Sequence, residues 1–439
     1  MSNELRSMVK RCKAGFPCGI TSYCTADELV IETCLQQALR LQDIVLIEAT
    51  ANQVNQFGGY TGKTPSDFRD FVYGIADNTG FPRERIILGG DHLGPLVWQN
   101  EPEAAAMEKA ARLVREYVLA GFTKIHLDTS MRLGDDSREF PLSDETIARR
   151  GAWLCRASEE AFRQLSSEGP DRQRPVYIIG SEVPIPGGAR ESEDTITVTE
   201  PLALEHTLTA YRNAFVSEGL SAAFENIIGV VVQPGVEFGD TNFFRYDRCR
   251  ARSLTAMAGK LPGIVLEGHS TDYQPAASLR EMIEDGIAIL KVGPALTFAL
   301  RESLFALSYI ENQLVPEEKR AHFIENLEDQ MLKTPGNWNR HYHGDERQLF
   351  IKRKYSFSDR CRYYFALPEI KACIEKLFLN LDSEDIPLGV LRQFMPLQYY
   401  KVRDGVLPLK ARELAKDGVA EMIEDYNYAT YHHYTVRCF

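Results

Sequence analysis

The chain has 439 residues, enough for one large domain or two modest ones with a sizeable core either way. Its 44% hydrophobic and 26% charged content is that of an ordinary soluble enzyme. The formal charge of -12 argues against nucleic acid or an anionic membrane as a partner, so any anionic substrate needs local basic groups.

The longest apolar runs, 44–47 and 227–232, are far too short to span a bilayer, and the first residues lack a signal-peptide layout. The nine cysteines form no CxxC pair and read as reduced, buried thiols, so the expected location is cytoplasmic.

Along the chain a first β-rich run at 17–22 leads into an amphipathic stretch at 28–41 with apolar residues at helical spacing. The second run, 44–48, ends in Glu48 and enters a segment rich in amides and glycines that contains Asn52 and Gln56. That segment invites a phosphate-loop reading. It fails, because Gly58 and Gly62 enclose three residues where the motif needs four. A loop that hydrogen-bonds sugar hydroxyls, or a purely structural turn, remains.

The third run, 85–90, ends in two glycines and then presents Asp91-His92-Leu93-Gly94-Pro95. The fourth, 123–128, carries His126 inside it, where a packing role is expected, and Asp128 at its end. Amphipathic stretches at 104–120, 143–166 and 202–218 separate the next runs. The fifth, 176–180, is followed by Glu182 and a rigid loop holding Pro184, Pro186, Gly187 and Gly188. The sixth, 227–233, ends in Gln233. The seventh, 263–267, runs into Glu267-Gly268-His269-Ser270, and the eighth, 288–292, holds Lys291 before Gly293 and a helix at 296–307.

Regular β-then-α alternation implies parallel strands with crossover helices, and eight units favour closure. The expected fold is α/β, a (β/α)8 TIM barrel over residues 1–304 with a helical extension at 305–439 packed on it. Helices in the extension are expected at 303–313, 322–333, 370–379 and 411–427.

In such a barrel the functional side chains sit at the C-terminal ends of the strands, where this sequence places its polar residues. His92 and His269, each beside glycine at a strand mouth, join Glu182 as a candidate set for catalytic Zn²⁺, with Mn²⁺ or another divalent ion as the alternative. Two imidazoles and one carboxylate leave coordination positions open for substrate oxygens. The bland alternatives are a hydrogen-bonded turn histidine and a helix-capping carboxylate. The backbone N–H groups at the start of the helix after Gly293 make a natural anion site. Lys291, Arg360 and Arg362 could add charge, although ion pairing within the chain is an equally good reading of the two arginines.

Ile47–Thr50, the 52–62 loop, Gly89–Pro95, Lys124–Ser130, Gly180–Gly188, Val232–Phe238, His269–Tyr273, 290–302, 355–364 and 380–396 together resemble the GatZ/KbaZ family. Its members are described as the second subunit of D-tagatose-1,6-bisphosphate aldolase, as a tagatose-6-phosphate kinase, or as a 4-epimerase of tagatose, fructose or their 6-phosphates. The family is distantly similar to class II zinc aldolases. That resemblance implies a catalytic role for Asp91 and metal binding by His92 and His269, with Glu182 where those enzymes commonly carry His.

In a 2-ketohexose the C4 hydrogen is not α to the carbonyl. Removing the C4 hydroxyl proton instead breaks C3–C4, and re-adding the rotated aldehyde gives the C4 epimer. The main expectation is therefore a metal-dependent ketohexose or ketohexose 6-phosphate 4-epimerase, with Asp91 and Asp128 as acid and base and Glu182 moving protons. The alternatives are a non-catalytic stabilising subunit of a class II tagatose-bisphosphate aldolase, or a self-sufficient aldolase. Substrate contacts are expected from Glu48, Asn52, Gln56, Gln233, Ser270, Lys291, Gly293 and Arg360. The expected partners are a sugar or sugar phosphate, a class II aldolase subunit and a second copy of the chain.

Overall fold

The computed structural model describes residues 4–169, 172–182 and 196–430. Its strands are β1 (Ile20–Cys24), β2 (Val45–Thr50), β3 (Ile86–Leu93), β4 (Lys124–Leu127), β5 (Val176–Ile179), β6 (Ile227–Val232), β7 (Glu237–Phe238), β8 (Phe243–Phe244), β9 (Val265–Gly268) and β10 (Ile287–Val292). All but β7 and β8, which form a separate antiparallel pair, close into a parallel barrel in chain order, with β1 bonded to both β2 and β10.

A helix follows each barrel strand: Glu28–Leu41, Pro65–Thr79, Glu103–Leu119, Asp144–Glu168, Pro201–Ser217, Arg248–Ala258, Ala276–Glu284 and Pro294–Leu314. This is the (β/α)8 barrel expected from the alternation. Local signals start the helices. Asp27 accepts the Val30 N–H at 3.1 Å, and Thr64 and Asp67 form a reciprocal capping box with Pro65 at the first turn. The barrel strands are buried almost along their whole length, which explains their continuous apolar runs.

The two mouths of the barrel differ. At the N-terminal ends of the strands, Ile20, Leu46, Ile87, Val176, Ile228 and Val265 form an apolar cluster. The helix Glu4–Lys13 adds Leu5, Met8 and Val9 to that cluster and stoppers this mouth. Charged and polar side chains gather at the other end.

Beyond the barrel lie helices Phe323–Lys333, Glu346–Tyr355, Pro368–Asp382, Leu388–Phe394, Pro396–Arg403 and Ala411–Thr430. The last packs against Pro294–Leu314, Ala276–Glu284 and Glu28–Leu41, and the Tyr426 hydroxyl donates to the Thr271 carbonyl at 2.9 Å. The expected boundary at 304/305 falls inside the helix Pro294–Leu314. One apolar cluster joins Leu300 and Leu304 of that helix to Leu377, Leu391, Leu414 and Ile423 of the extension. Among the described residues no helix is long and apolar enough to cross a membrane, and the eight cysteines described are free thiols.

Candidate metal centre and active-site cavity

The register of β3 on β4 runs Gly90↔Ile125 and then Leu93↔Leu127, so Asp91 and His92 together stand opposite His126. The extra residue is a bulge, and His92 takes a positive φ of 47° to accommodate it. A regular strand would turn adjacent side chains to opposite faces. Here both belong to one group with His126 and His269, whose ligand atoms all lie within 4.8 Å of one another. A left-handed conformation at a non-glycine residue costs about 1–3 kcal/mol and persists where the surroundings impose it.

The three imidazole rings lie 4.8, 5.0 and 5.2 Å apart, centroid to centroid. Each has one nitrogen engaged. His92 Nδ1 bonds Asp128 Oδ2 at 2.9 Å, and His269 Nε2 bonds Glu267 Oε1 at 2.9 Å. His126 Nδ1 sits 3.1 Å from the His92 N–H and 3.0 Å from Asp91 Oδ1. Carboxylates behind two of the rings fix tautomer and orientation in the manner of metal sites. His126 Nε2 is buried with no hydrogen-bond partner, an arrangement that costs stability unless a ligand engages it. The donor set therefore fits a zinc-type divalent ion.

Below the rings the charges interlock. Lys124, fully enclosed, bridges Glu48 at 2.8 Å and Glu267 at 2.9 Å. Lys291 contacts Glu48, Asp91 at 2.5 Å and Glu267 at 3.6 Å. Burial alone would raise the Asp91 and Glu267 pKa values. The cations around them outweigh it, so both carboxyls lie well below their ordinary values. Burial likewise raises Asp128, but His92 brings it down to about 2. Burial depresses His269 to about 3 and keeps it neutral. Burial also pulls His92 down, but Asp91 and Asp128 prevail and raise it.

A cavity of about 300 Å³ opens over this group. Asp91, His92, His269 and Lys291 line its base, Asn52, Gln53, Tyr60 and Ser270 its walls, and the extension contributes Arg362, Tyr363, Lys371 and Arg412.

A profile of the D-tagatose-1,6-bisphosphate aldolase subunit GatZ/KbaZ-like family matches residues 5–431. The D-tagatose-1,6-bisphosphate aldolase subunit GatZ of Salmonella agona (strain SL483) is 46% identical over 424 residues, covering 97% of this chain and 98% of that protein. The protein of the same name from Salmonella typhimurium is equally similar, at 46% over the same coverage. The chain belongs to the GatZ/KbaZ-like family. A crystal structure described as a probable tagatose 6 phosphate kinase from Sinorhizobium meliloti 1021 superimposes with a TM-score of 0.85 at 45% identity, covering 94% of this chain and all of that one.

Within this GatZ/KbaZ-like chain, Asp91, His92, His269, Asn52, Ser270, Lys291 and Gly293 all reach the cavity. Other expected site residues lie elsewhere. Glu182 is exposed, three residues past the end of β5, and accepts a hydrogen bond from Thr199. His126, expected to be a packing residue, joins the imidazole group in its place. Residues 183–188 of the loop after Glu182 lie outside the described residues. Glu48 is fully enclosed beneath the cavity instead of facing a substrate. Asp128 is held by His92 and by Ser130 at 2.7 Å, a position from which it orients the imidazole.

Gln56 donates to the Lys109 carbonyl at 3.0 Å, and Gln233 accepts from the N–H groups of Gly235 and Val236 at 2.9 and 3.0 Å, so both close loops. Arg360 turns away to the Asn337 carbonyl at 3.0 Å, and Arg362 lines the cavity instead. The expected anion site after Gly293 is filled from within. Asp272 accepts the N–H groups of Gly293 and Ala295 at 3.0 and 2.8 Å. Lys124 and Glu267 escaped the sequence reading as site residues. Their signal was the alternation Lys124-x-His126-x-Asp128 and Glu267-x-His269, which stacks polar side chains on one strand face.

Proposed function

We propose that this chain is a metal-binding component of a D-tagatose-1,6-bisphosphate aldolase whose own cavity works on the C3–C4 bond of a ketohexose phosphate. The observation that carries this reading is the buried triad of imidazoles, each with one nitrogen engaged and a carboxylate oxygen within 3.0 Å of it. His92, His126 and His269 would hold the ion, with Asp91 beside them. A zinc-type ion there supplies Lewis acidity toward substrate oxygens.

The residues divide the remaining work. Asp91, kept ionised at the base of the cavity, would take the C4 hydroxyl proton on Oδ2, which lies 3.4 Å from the Cys24 thiol and 3.7 Å from His92 Nε2. Lys291 holds the other carboxylate oxygen and fixes the side chain. Asp128 and Glu267 position imidazoles. The names of the relatives favour an aldolase component over a free-standing epimerase. 4-Epimerisation stands as the second reading, because an aldehyde retained in the cavity can re-add through its other face.

Kinase chemistry has no cradle in the 52–63 loop. The N–H groups of Gly58, Gly59, Tyr60 and Thr61 bond inward to Asn55, Asn52 and Gln53.

Zinc-loaded protein is to be incubated with D-tagatose 1,6-bisphosphate, alone and with a class II aldolase subunit, and with D-tagatose 6-phosphate. Triose phosphates are expected from the bisphosphate, alone or with the subunit, and should fall at least about a hundredfold in His92→Ala. Fructose 6-phosphate from the monophosphate would instead establish the epimerase. Unchanged triose formation by His92→Ala would sink a reaction at this site.

A further inference from the structure

With Asp272 on the helix start after β10, a phosphate must be held elsewhere, and the extension brings positive charge into the cavity wall. The Arg362 guanidinium, half-buried there, donates to the carbonyls of Ser358 and Asp359 and to the Tyr363 hydroxyl at 3.0 Å. Among the described residues it has no carboxylate partner. Its neighbour Asp359 is taken by Arg301 at 3.1 Å and by the Thr297 hydroxyl at 2.6 Å.

Lys63 and Lys371 line the same cavity, and neither forms an ion pair among the described residues. Lys63 lies 4.6 Å from the centre of the Phe71 ring. Burial lowers its pKa and the Lys371 charge lowers it further, while Glu28 and Asp67 pull the other way, so the two ammonium groups stand in each other's field. Arg412, by contrast, is already matched by Glu375 at 2.5 Å. Asp27, Glu28 and Asp272 line the same cavity, but among the described residues none forms an ion pair with Arg362, Lys63 or Lys371, so an entering anion can engage these cations directly. The guanidinium still has N–H donors to offer, and its planar fork suits phosphate oxygens.

We infer that Arg362, with Lys63 and Lys371, seats the phosphate monoester of the substrate, on a wall built by the extension and the loop after β2. This rests on the proposed reading that a ketohexose phosphate enters the cavity, and it names the place of its phosphate. The ketose end then lies toward the imidazoles and the ester end toward the extension. The barrel alone would lack Arg362 and Lys371, so the extension completes the substrate site.

The test is equilibrium binding by titration calorimetry, with D-tagatose 6-phosphate, D-tagatose and inorganic phosphate as probes and thermal melting as the check on folding. Wild-type protein should hold D-tagatose 6-phosphate at least roughly tenfold more tightly than D-tagatose, and Arg362→Met should abolish that difference. Inorganic phosphate should compete with the ester but not with D-tagatose. The double variant Lys63→Met, Lys371→Met keeps every carbonyl bond of Arg362 and should weaken only the ester, by severalfold.

The inference is overturned if a stably folded Arg362→Met holds the ester as the wild type does, or if wild type does not discriminate ester from free sugar. Should Arg362→Met fail to fold, an unchanged ester affinity in the double lysine variant overturns it. Turnover is not read out. An inactive chain that still discriminates the ester refutes the proposed chemistry and leaves this seat standing, and an active chain blind to the phosphate does the reverse.

Discussion

His126 and Glu182 make opposite predictions for metal content. The first places a buried, unpartnered Nε2 beside two other imidazoles, whereas the second is exposed and bonded to Thr199. His126→Ala is expected to lose most bound zinc after dialysis, and Glu182→Ala to retain it, as read by elemental analysis. Asp128→Asn leaves all three rings in place but loosens His92, so zinc affinity should fall about 10–100-fold. Retention of stoichiometric zinc by His126→Ala would remove it from the ligand set. A second residue-scale prediction concerns Asp272. Burial raises its carboxyl to about 6, although the Gly293 and Ala295 N–H groups pull the other way. Its unfolded value is near 3.8, so between about 4 and 6 the folded state binds the extra proton and stability falls as pH rises. Asp272→Asn keeps an acceptor oxygen without the charge. It should be more stable than wild type at pH 7, by up to about 3 kcal/mol, and lose that advantage near pH 4. An advantage that is the same at both pH values would contradict the assigned cause.

At the scale of elements, the end of β3 fixes the site through one bulge and one close approach. Gly94 has extended backbone that any residue could adopt, but a β-carbon there would overlap the Asp128 carbonyl. Gly94→Ala must push β3 from β4 and carry Asp128 away from His92. It should destabilise by about 3 kcal/mol or more and weaken zinc binding. Gly62 is the contrast: its φ is 73° with open space around it, so Gly62→Ala should cost only about 1 kcal/mol and leave metal affinity alone. Denaturant unfolding and zinc titration of the two variants separate the effects, and equal losses in both would disprove the close-approach account. This element also marks how far the sequence could be read. The eight barrel strands were legible because buried parallel strands are continuous apolar runs, and Asp91, His92 and His269 because polar residues at strand ends stand out against them. The bulge was not legible, since an inserted residue leaves no trace in composition. The same hidden register set His126 opposite Asp91 and His92, in the imidazole group. The helices Glu346–Tyr355 and Leu388–Phe394 were hidden differently, the one dense in charge and the other only seven residues long.

For the molecule as a whole, the question is whether barrel and extension are separable. The sequence shows a change of texture near residue 305, but the chain crosses that point in mid-helix, within Pro294–Leu314. The last helix, Ala411–Thr430, then returns to the barrel's helix ring, with Tyr426 bonded to Thr271 two residues after His269. Ile423, Val419 and Leu414 are fully buried in the same cluster as Leu35 and Leu300. Removing this helix would uncover partners such as Leu35 and Leu300, at about 1.5–3 kcal/mol for each side chain fully exposed, more than a domain of marginal stability can absorb. The full chain is therefore expected to unfold in one transition, with circular dichroism and tryptophan fluorescence superimposing across a denaturant series. A version ending before Ala411 should not yield soluble folded protein. Two resolved transitions, the first leaving zinc bound to a folded barrel, would show that the extension is an independent unit. A single transition would tie its cavity-lining cations to the fold of the barrel's polar mouth, so that cavity and barrel form and fail together.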